Sequence, residues 1–248
     1  MKKGLFIMIG ECFREGMSTS RLKDTEYGVK NQTESSISHH KLFKKLTNIN
    51  YHIDVAIHTY ETKYKDLLLT FYENIIYTNF STFYYSDEFR QIVIWSINNV
   101  LSVINMDEYD FIFICRLDLL LKEKLIENFN PEWTEITYPS VQHVENNIAP
   151  VISDVFCFIP KKYFHPYDNW KGLLNSQILH HHSVLWLIDN GLKLKDINFV
   201  TYYIYISNTF DSSNPFYAIN CRQEHYCTRN IDINKKYDRN LNKVIDEN

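Results

Sequence analysis

The chain reads as an α/β domain whose amino-terminal half is largely parallel and whose carboxyl-terminal half is mixed. Three observations predict it. Short apolar runs recur at Gly4–Ile9, Tyr51–His58 and Phe111–Cys115, each the length of a buried strand. Segments of helical period lie between them, the most regular being Phe89–Ile104. The third run ends in Arg116-Leu117-Asp118, an arginine and a carboxylate at the strand end where open α/β sheets bind ligands.

The elements follow in order. Gly4–Ile9 is the first strand, and its apolar stretch is too short and too soon followed by Glu11 and Arg14 for a signal peptide. A polar stretch rich in Ser, Thr, Lys and Glu leads to a short helix through Leu42, Phe43 and Leu46. Tyr51–His58 is the second strand, and Tyr64, Leu67, Leu68 and Phe71 mark one face of the next helix. Ser86, Asp87 and Glu88 start the helix that carries Phe89, Ile92, Val93, Ile97, Val100, Leu101 and Ile104. After Asp118 come a short helix around Leu125 and Ile126, strand-like Glu135–Tyr138, and a polar loop from Gln142 to Asn147. A buried-looking strand at Val155–Ile159 follows Asp154. A helix from about Gln177 to Asn190 stops at Gly191, and Thr201–Ile206 is a further strand. Residues 1–229 form one domain on this reading, and 230–248 form a polar, poorly packed tail.

Composition bounds the function. The 248 residues are 45% hydrophobic and 23% charged, as in a soluble globular protein, and no segment is long enough to span a membrane. A formal net charge of −4 argues against a nucleic-acid binder that relies on overall charge. The five cysteines include no Cys-x-x-Cys pair, which fits a reducing, cytoplasmic compartment. Tyr, Phe, Asn, Ile and Lys are all abundant, a bias that an AT-rich genome produces through its codons, so the 18 Tyr carry little functional weight. The Gly-x-Gly-x-x-Gly, Gly-x-x-x-x-Gly-Lys-Ser/Thr and Gly-x-Ser-x-Gly motifs are absent, which argues against Rossmann dinucleotide enzymes, P-loop nucleotidases and α/β-hydrolases.

Three segments together resemble GT-A glycosyltransferases of the bacterial and viral polysaccharide (capsule) type. The first is the apolar strand followed by Gly10-Glu11-Cys12-Phe13-Arg14; the second is Ile53-Asp54-Val55-Ala56-Ile57-His58-Thr59-Tyr60; the third is Tyr109-Asp110-Phe111 through Arg116-Leu117-Asp118-Leu119. The resemblance implies a GT-A-like fold, a Rossmann-like mixed sheet flanked by helices in a single domain. It also implies transfer of a sugar from a nucleotide-diphosphate sugar, a UDP-sugar foremost, to a glycan or glycoconjugate acceptor. In that family an Asp-x-Asp block holds Mn²⁺ or Mg²⁺ against the donor diphosphate. Here Arg116 replaces the first acid, so Asp118 is the implied metal ligand and the arginine an alternative source of charge neutralisation. Gly10, Glu11, Arg14, His58 and Thr59 would line the nucleotide pocket together with Arg116 and Asp118. Asp154 resembles an Asp-x-Phe segment and is the candidate general base for an inverting reaction, or an acceptor contact. Arg222 or His225 would reach the diphosphate from a carboxyl-terminal segment that folds back over the donor.

Plainer readings stand beside these. Arg116 and Asp118 also suit a structural ion pair or a helix cap, His58 a core imidazole, and Arg14 a solvated charge. His182 lies on the stripe of Ile178, Leu179, Leu185 and Trp186, where a satisfied buried histidine competes with a donor-site or acceptor contact. Adjacent His180-His181-His182 point in different directions on a helix, and Cys221, His225 and Cys227 match no usual zinc spacing. Two other classes remain open: a nucleotidyltransferase acting on a sugar phosphate, and a non-catalytic sugar-binding protein on a degenerate transferase fold.

Overall fold

In β1 (Lys2–Ile9) the last six residues are all buried, as a strand covered on both faces requires. Phe6 and Met8 enter one core, and Leu5, Ile7 and Ile9 enter a second on the opposite face. The computed structural model describes residues 1–15, 22–82, 99–139, 141–142, 151–152, 155–164, 193–200, 214–219, 235–238 and 243–246.

After β1, the two-residue strands β2 (Arg14–Glu15) and β3 (Leu22–Lys23) pair and lead into α1 (Glu26–Asn48). Next come β4 (Tyr51–Tyr60), α2 (Lys65–Thr70), β5 (Ile75–Ser81) and a helical segment at 99–103, α3. β6 (Phe111–Arg116) turns through Leu117 and Asp118 into β7 (Leu119–Leu121) and α4 (Glu123–Asn128). The remainder comprises β8 (Ile136–Tyr138), β9 (Val141–Gln142), β10 (Val151–Ile152), β11 (Phe156–Pro160), β12 (Ile197–Phe199), β13 (Tyr217–Ile219), β14 (Lys235–Asp238) and β15 (Lys243–Asp246).

Among the described residues the main sheet has seven strands in the order β12-β8-β11-β6-β1-β4-β5. β1 pairs in parallel with β4 and β6, and β4 with β5; β11 alone runs antiparallel to its neighbours β6 and β8. This is the mixed α/β sheet flanked by helices that the sequence predicts. Leu42, Leu46, Leu68, Leu125 and Ile126 bring α1, α2 and α4 onto one face, and Val100 brings α3 onto the other. Phenylalanines fill the first face: Phe6 and Phe113 lie 5.0 Å apart between ring centroids, Phe111 and Phe158 5.1 Å, Phe113 and Phe129 5.2 Å.

Three elements depart from the expectation. The polar stretch before Leu42 is not irregular: α1 starts at Glu26, where the Thr25 side chain accepts from the Gly28 amide at 2.9 Å. β5 has half-buried, alternating character and no continuous apolar run, so periodicity did not reveal it. β14 and β15 pair antiparallel within the segment expected to be a tail. The helix at 177–190, the strand at 201–206 and most of the helix at 89–104 lie outside the described residues.

Candidate functional site

Register sets the site. Ile9 is level with His58 on one side and with Arg116 on the other, so β4, β1 and β6 all end at one edge of the sheet. The chain leaves β1 through Gly10, whose φ of +93° favours glycine, and Phe13 follows at φ +50°. Thr59 fixes this turn by donating from Oγ1 to the Gly10 carbonyl at 2.7 Å. On the other side the Leu117 amide donates to the Ile9 carbonyl at 2.9 Å, which draws the β6–β7 turn against the same loop.

Four charged side chains meet there. Arg116 holds Asp118 with a bidentate fork, Nε to Oδ1 and Nη2 to Oδ2, both 2.8 Å. Arg14 donates from Nε to Asp118 Oδ2 at 3.0 Å and pairs through Nη1 with Glu11. Two guanidiniums and two carboxylates thus form one hydrogen-bonded tetrad. The side chains of Arg14, Glu11 and Asp118 are 2%, 3% and 6% exposed; Arg116, at 19%, is the most open of the four.

The plainer reading of Arg116 and Asp118 as an ion pair is therefore present in the structure, at the strand ends where a ligand site was expected. Arg14, for which a solvated charge was the alternative, is buried. His58 and Thr59 are buried at the same edge, and burial lowers the His58 pKa to about 4, so its imidazole is neutral near pH 7. Gly10, Glu11, Arg14, His58, Thr59, Arg116 and Asp118 all belong to this edge. Asp154, His182, Arg222 and His225 lie outside the described residues, as do His180, His181, Cys221 and Cys227. Val155, next to Asp154 in sequence, accepts through its carbonyl from the Arg116 amide at 3.3 Å.

A divalent cation on Asp118 is what the resemblance implies, and the described residues do not fit one. Both oxygens of Asp118 already accept from fixed cations, which repel a third. Among the described residues there is also no group of three or more His, Cys, Asp or Glu able to hold a metal ion.

An open hollow lined by Asp24, Glu61, Thr62, Lys63, Lys65, Thr78, Asn79 and Phe80 lies at the ends of β4 and β5. On its rim two lysines sit over aromatic rings beside the acids Asp24 and Glu61: Lys65 lies 4.7 Å from the Phe80 ring centroid, and Lys63 lies 4.9 Å from that of the adjoining Tyr64. Asp118 is not part of that lining, but the Asp24 amide donates to the Phe13 carbonyl at 2.9 Å and ties the hollow to the Arg14 loop. Sequence reasoning missed this rim; the signal was the cluster Tyr60, Lys63, Tyr64, Lys65 directly after the second strand. It also missed the buried polar face of α1. There Gln32, Ser35, Ser36 and His39 repeat at helical spacing and run into Leu42 and Leu46, but only the leucines register as apolar period.

Burial lowers the His39 pKa from 6.5 to about 4. The unfolded chain then binds a proton that the fold refuses between those values. His39 leaves stability intact above pH 6.5 and removes it progressively as pH falls toward 4, by about 1.4 kcal/mol per pH unit. Urea unfolding between pH 6.5 and 4.5 should show a shallower loss for His39→Gln than for the unmodified chain. Equal slopes would mean that His39 titrates normally in the fold.

No protein-family model matches the chain, and comparison with curated proteins returns no match. Among solved structures, a Desulfovibrio desulfuricans G20 protein described as a nucleotide-diphospho-sugar transferase is similar at 10% identity and TM-score 0.45, over 81% of this chain and 80% of that one. A Drosophila β1,4-galactosyltransferase 7 variant, in complex with manganese, UDP-Gal and xylobiose, is similar at 9% identity and TM-score 0.42, over 100% and 81%. The 4-diphosphocytidyl-2C-methyl-D-erythritol synthase of Anaerococcus prevotii is similar at 11% identity and TM-score 0.43, over 80% and 88%. At such scores these likenesses carry no argument about activity.

Proposed function

We propose that the chain is a glycosyltransferase that moves a sugar from a nucleotide-diphosphate sugar, foremost a UDP-sugar, to a glycan or glycoconjugate acceptor. One observation supports this most: the three segments that resemble GT-A transferases end level at one edge of the sheet, and the first and third meet there in the Glu11–Arg14–Asp118–Arg116 tetrad.

The chemistry asked of such a site is modest. As the anomeric bond breaks, negative charge grows on the departing diphosphate and needs a fixed cation. Arg116 is the cation of the tetrad most open to a ligand, and the Asp118 fork fixes the plane of its guanidinium before a ligand arrives. The Lys63 and Lys65 rim supplies further positive charge beside aromatic faces suited to a base. Asp154 is proposed as the base that takes the acceptor hydroxyl proton, or as an acceptor contact. No step in this scheme passes through a metal.

The test is a thermal-shift and donor-hydrolysis screen across nucleotide-sugars, with Mn²⁺ and with EDTA. UDP or a UDP-sugar should raise the melting temperature in EDTA, and a UDP-sugar should be hydrolysed slowly without acceptor. A shift that requires Mn²⁺ would overturn the arginine assignment while keeping the transferase reading. Release of pyrophosphate from a nucleoside triphosphate and a sugar phosphate would replace that reading with a nucleotidyltransferase. Glycan binding with neither hydrolysis nor transfer would leave a sugar-binding protein.

A further inference from the structure

Helix α1 buries Asn31, Gln32, Ser35, Ser36, Ser38 and His39, an unusual face for a helix packed on a sheet. Polar groups are buried without penalty only when bonded, and three of these, Gln32, Ser38 and His39, find their partners in the backbone of one short ribbon. Gln32 Nε2 donates to the Leu117 carbonyl at 3.0 Å, His39 Nε2 to the Leu119 carbonyl at 2.8 Å, and Ser38 Oγ accepts from the Leu121 amide at 2.9 Å. These are alternate residues, so α1 serves one edge of β7 in the way a neighbouring strand would. The opposite edge pairs with β13, and the Lys122 amide donates to the Phe216 carbonyl at 2.9 Å. Asp118 sits inside the ribbon that this arrangement grips.

The histidine is itself held. A carbonyl only accepts, so the proton on the ring is at Nε2, and Nδ1 accepts from the Tyr72 hydroxyl at 3.0 Å. Tyr72 lies 3.3 Å from Ser36 Oγ, which lies 3.4 Å from Gln32 Nε2, so the chain of bonds closes on α1.

We infer that His39, supported by Gln32 and Ser38, is a positioning residue for the proposed donor site: it holds the Leu117–Leu121 ribbon so that Asp118 meets Arg14 and Arg116. This rests on the transferase reading for its kinetic consequence but not for its structural one.

The experiment separates the two. Amide hydrogen exchange over residues 117–121 is measured in the whole protein for the unmodified chain, His39→Leu, His39→Gln and Ser38→Ala. Glutamine reaches as far as Nε2 and keeps a donor for Leu119, whereas leucine does not. His39→Leu should speed exchange over 117–121 by about tenfold relative to the amides of β1 and β4, with His39→Gln close to the unmodified chain. Where a UDP-sugar is turned over, His39→Leu should lower kcat/KM by about tenfold with kcat falling as well, because Arg116 stabilises charge that develops in the transition state, and glutamine should restore it. If His39→Leu does not fold, Ser38→Ala reads the same ribbon through the Leu121 amide. Unchanged exchange over 117–121, or loosening spread evenly over β1, β4 and β7, overturns the inference. Local loosening in a protein that turns over no nucleotide-sugar sustains it and removes only the transferase reading.

Discussion

Asp118→Ala should destabilise the fold by about 3–5 kcal/mol and remove nucleotide binding altogether. The carboxylate accepts from Arg116 Nε and Nη2 and from Arg14 Nε, so its loss leaves two guanidiniums facing one remaining acid, Glu11. Arg14 is almost fully buried and has no route to water without moving the loop after β1. The asymmetry is the familiar one for buried ion pairs: the intact cluster contributes little net stability, but half of it is costly. Asp118→Asn keeps two acceptor lone pairs and should fall between the two proteins. Urea unfolding reads the first effect and a nucleotide thermal shift the second. Unmodified stability in Asp118→Ala would show that the tetrad does not form in solution, and an unmodified nucleotide shift would remove Asp118 from the donor site.

Gly28→Ala should cost about 3 kcal/mol in spite of the better helix propensity of alanine, which alone would gain about 1 kcal/mol. A Cβ at Gly28 would lie 2.3 Å from the Phe13 carbonyl oxygen, 2.5 Å from its carbon and 3.0 Å from the Arg14 nitrogen. These are backbone atoms, and they belong to a residue already at positive φ, so the loop has little freedom to retreat. Whatever movement occurs displaces Arg14 from Asp118. The substitution should therefore weaken nucleotide binding as well as stability, although glycine at position 28 has no side chain with which to contact a ligand. Stability equal to or above that of the unmodified chain would mean that α1 and the Arg14 loop are not in contact.

The second prediction turns on α1, the element that composition hides best. Apolar runs revealed β1, β4, β6 and β11 because a strand buried on both faces is apolar along most of its length. α1 buries a face just as fully, but six of its nine buried residues carry polar side chains, and three of these, Gln32, Ser38 and His39, bond to backbone groups 80 or more residues away. Hydrophobic period cannot register a face of that kind. Lys45 makes the same point, since it donates to the carbonyls of Ile126, Glu127 and Phe129 and so closes the carboxyl end of α4.

The site divides along similar lines. Arg116 and Asp118 were legible as strand-end residues, because a strand end follows from the apolar run before it, whereas Gly10, Glu11, Arg14, His58 and Thr59 entered through the transferase resemblance and lie at the ends of the neighbouring strands. Local pattern was enough to specify β1, β4, β6 and β11, the parallel character of the amino-terminal half, and the charged pair at the end of β6. Pairing was another matter. The sequence left Asp118 open as a metal ligand, a helix cap or an ion-pair partner, and Arg14 open as a solvated charge. Those choices depend on which groups approach within 3 Å across about a hundred residues of chain, and Coulomb and hydrogen-bond energies at that range exceed any local preference. Register between β1 and β6, the turn at Gly10 and the grip of α1 on the Leu117–Leu121 ribbon made Arg14 and Arg116 the partners of Asp118.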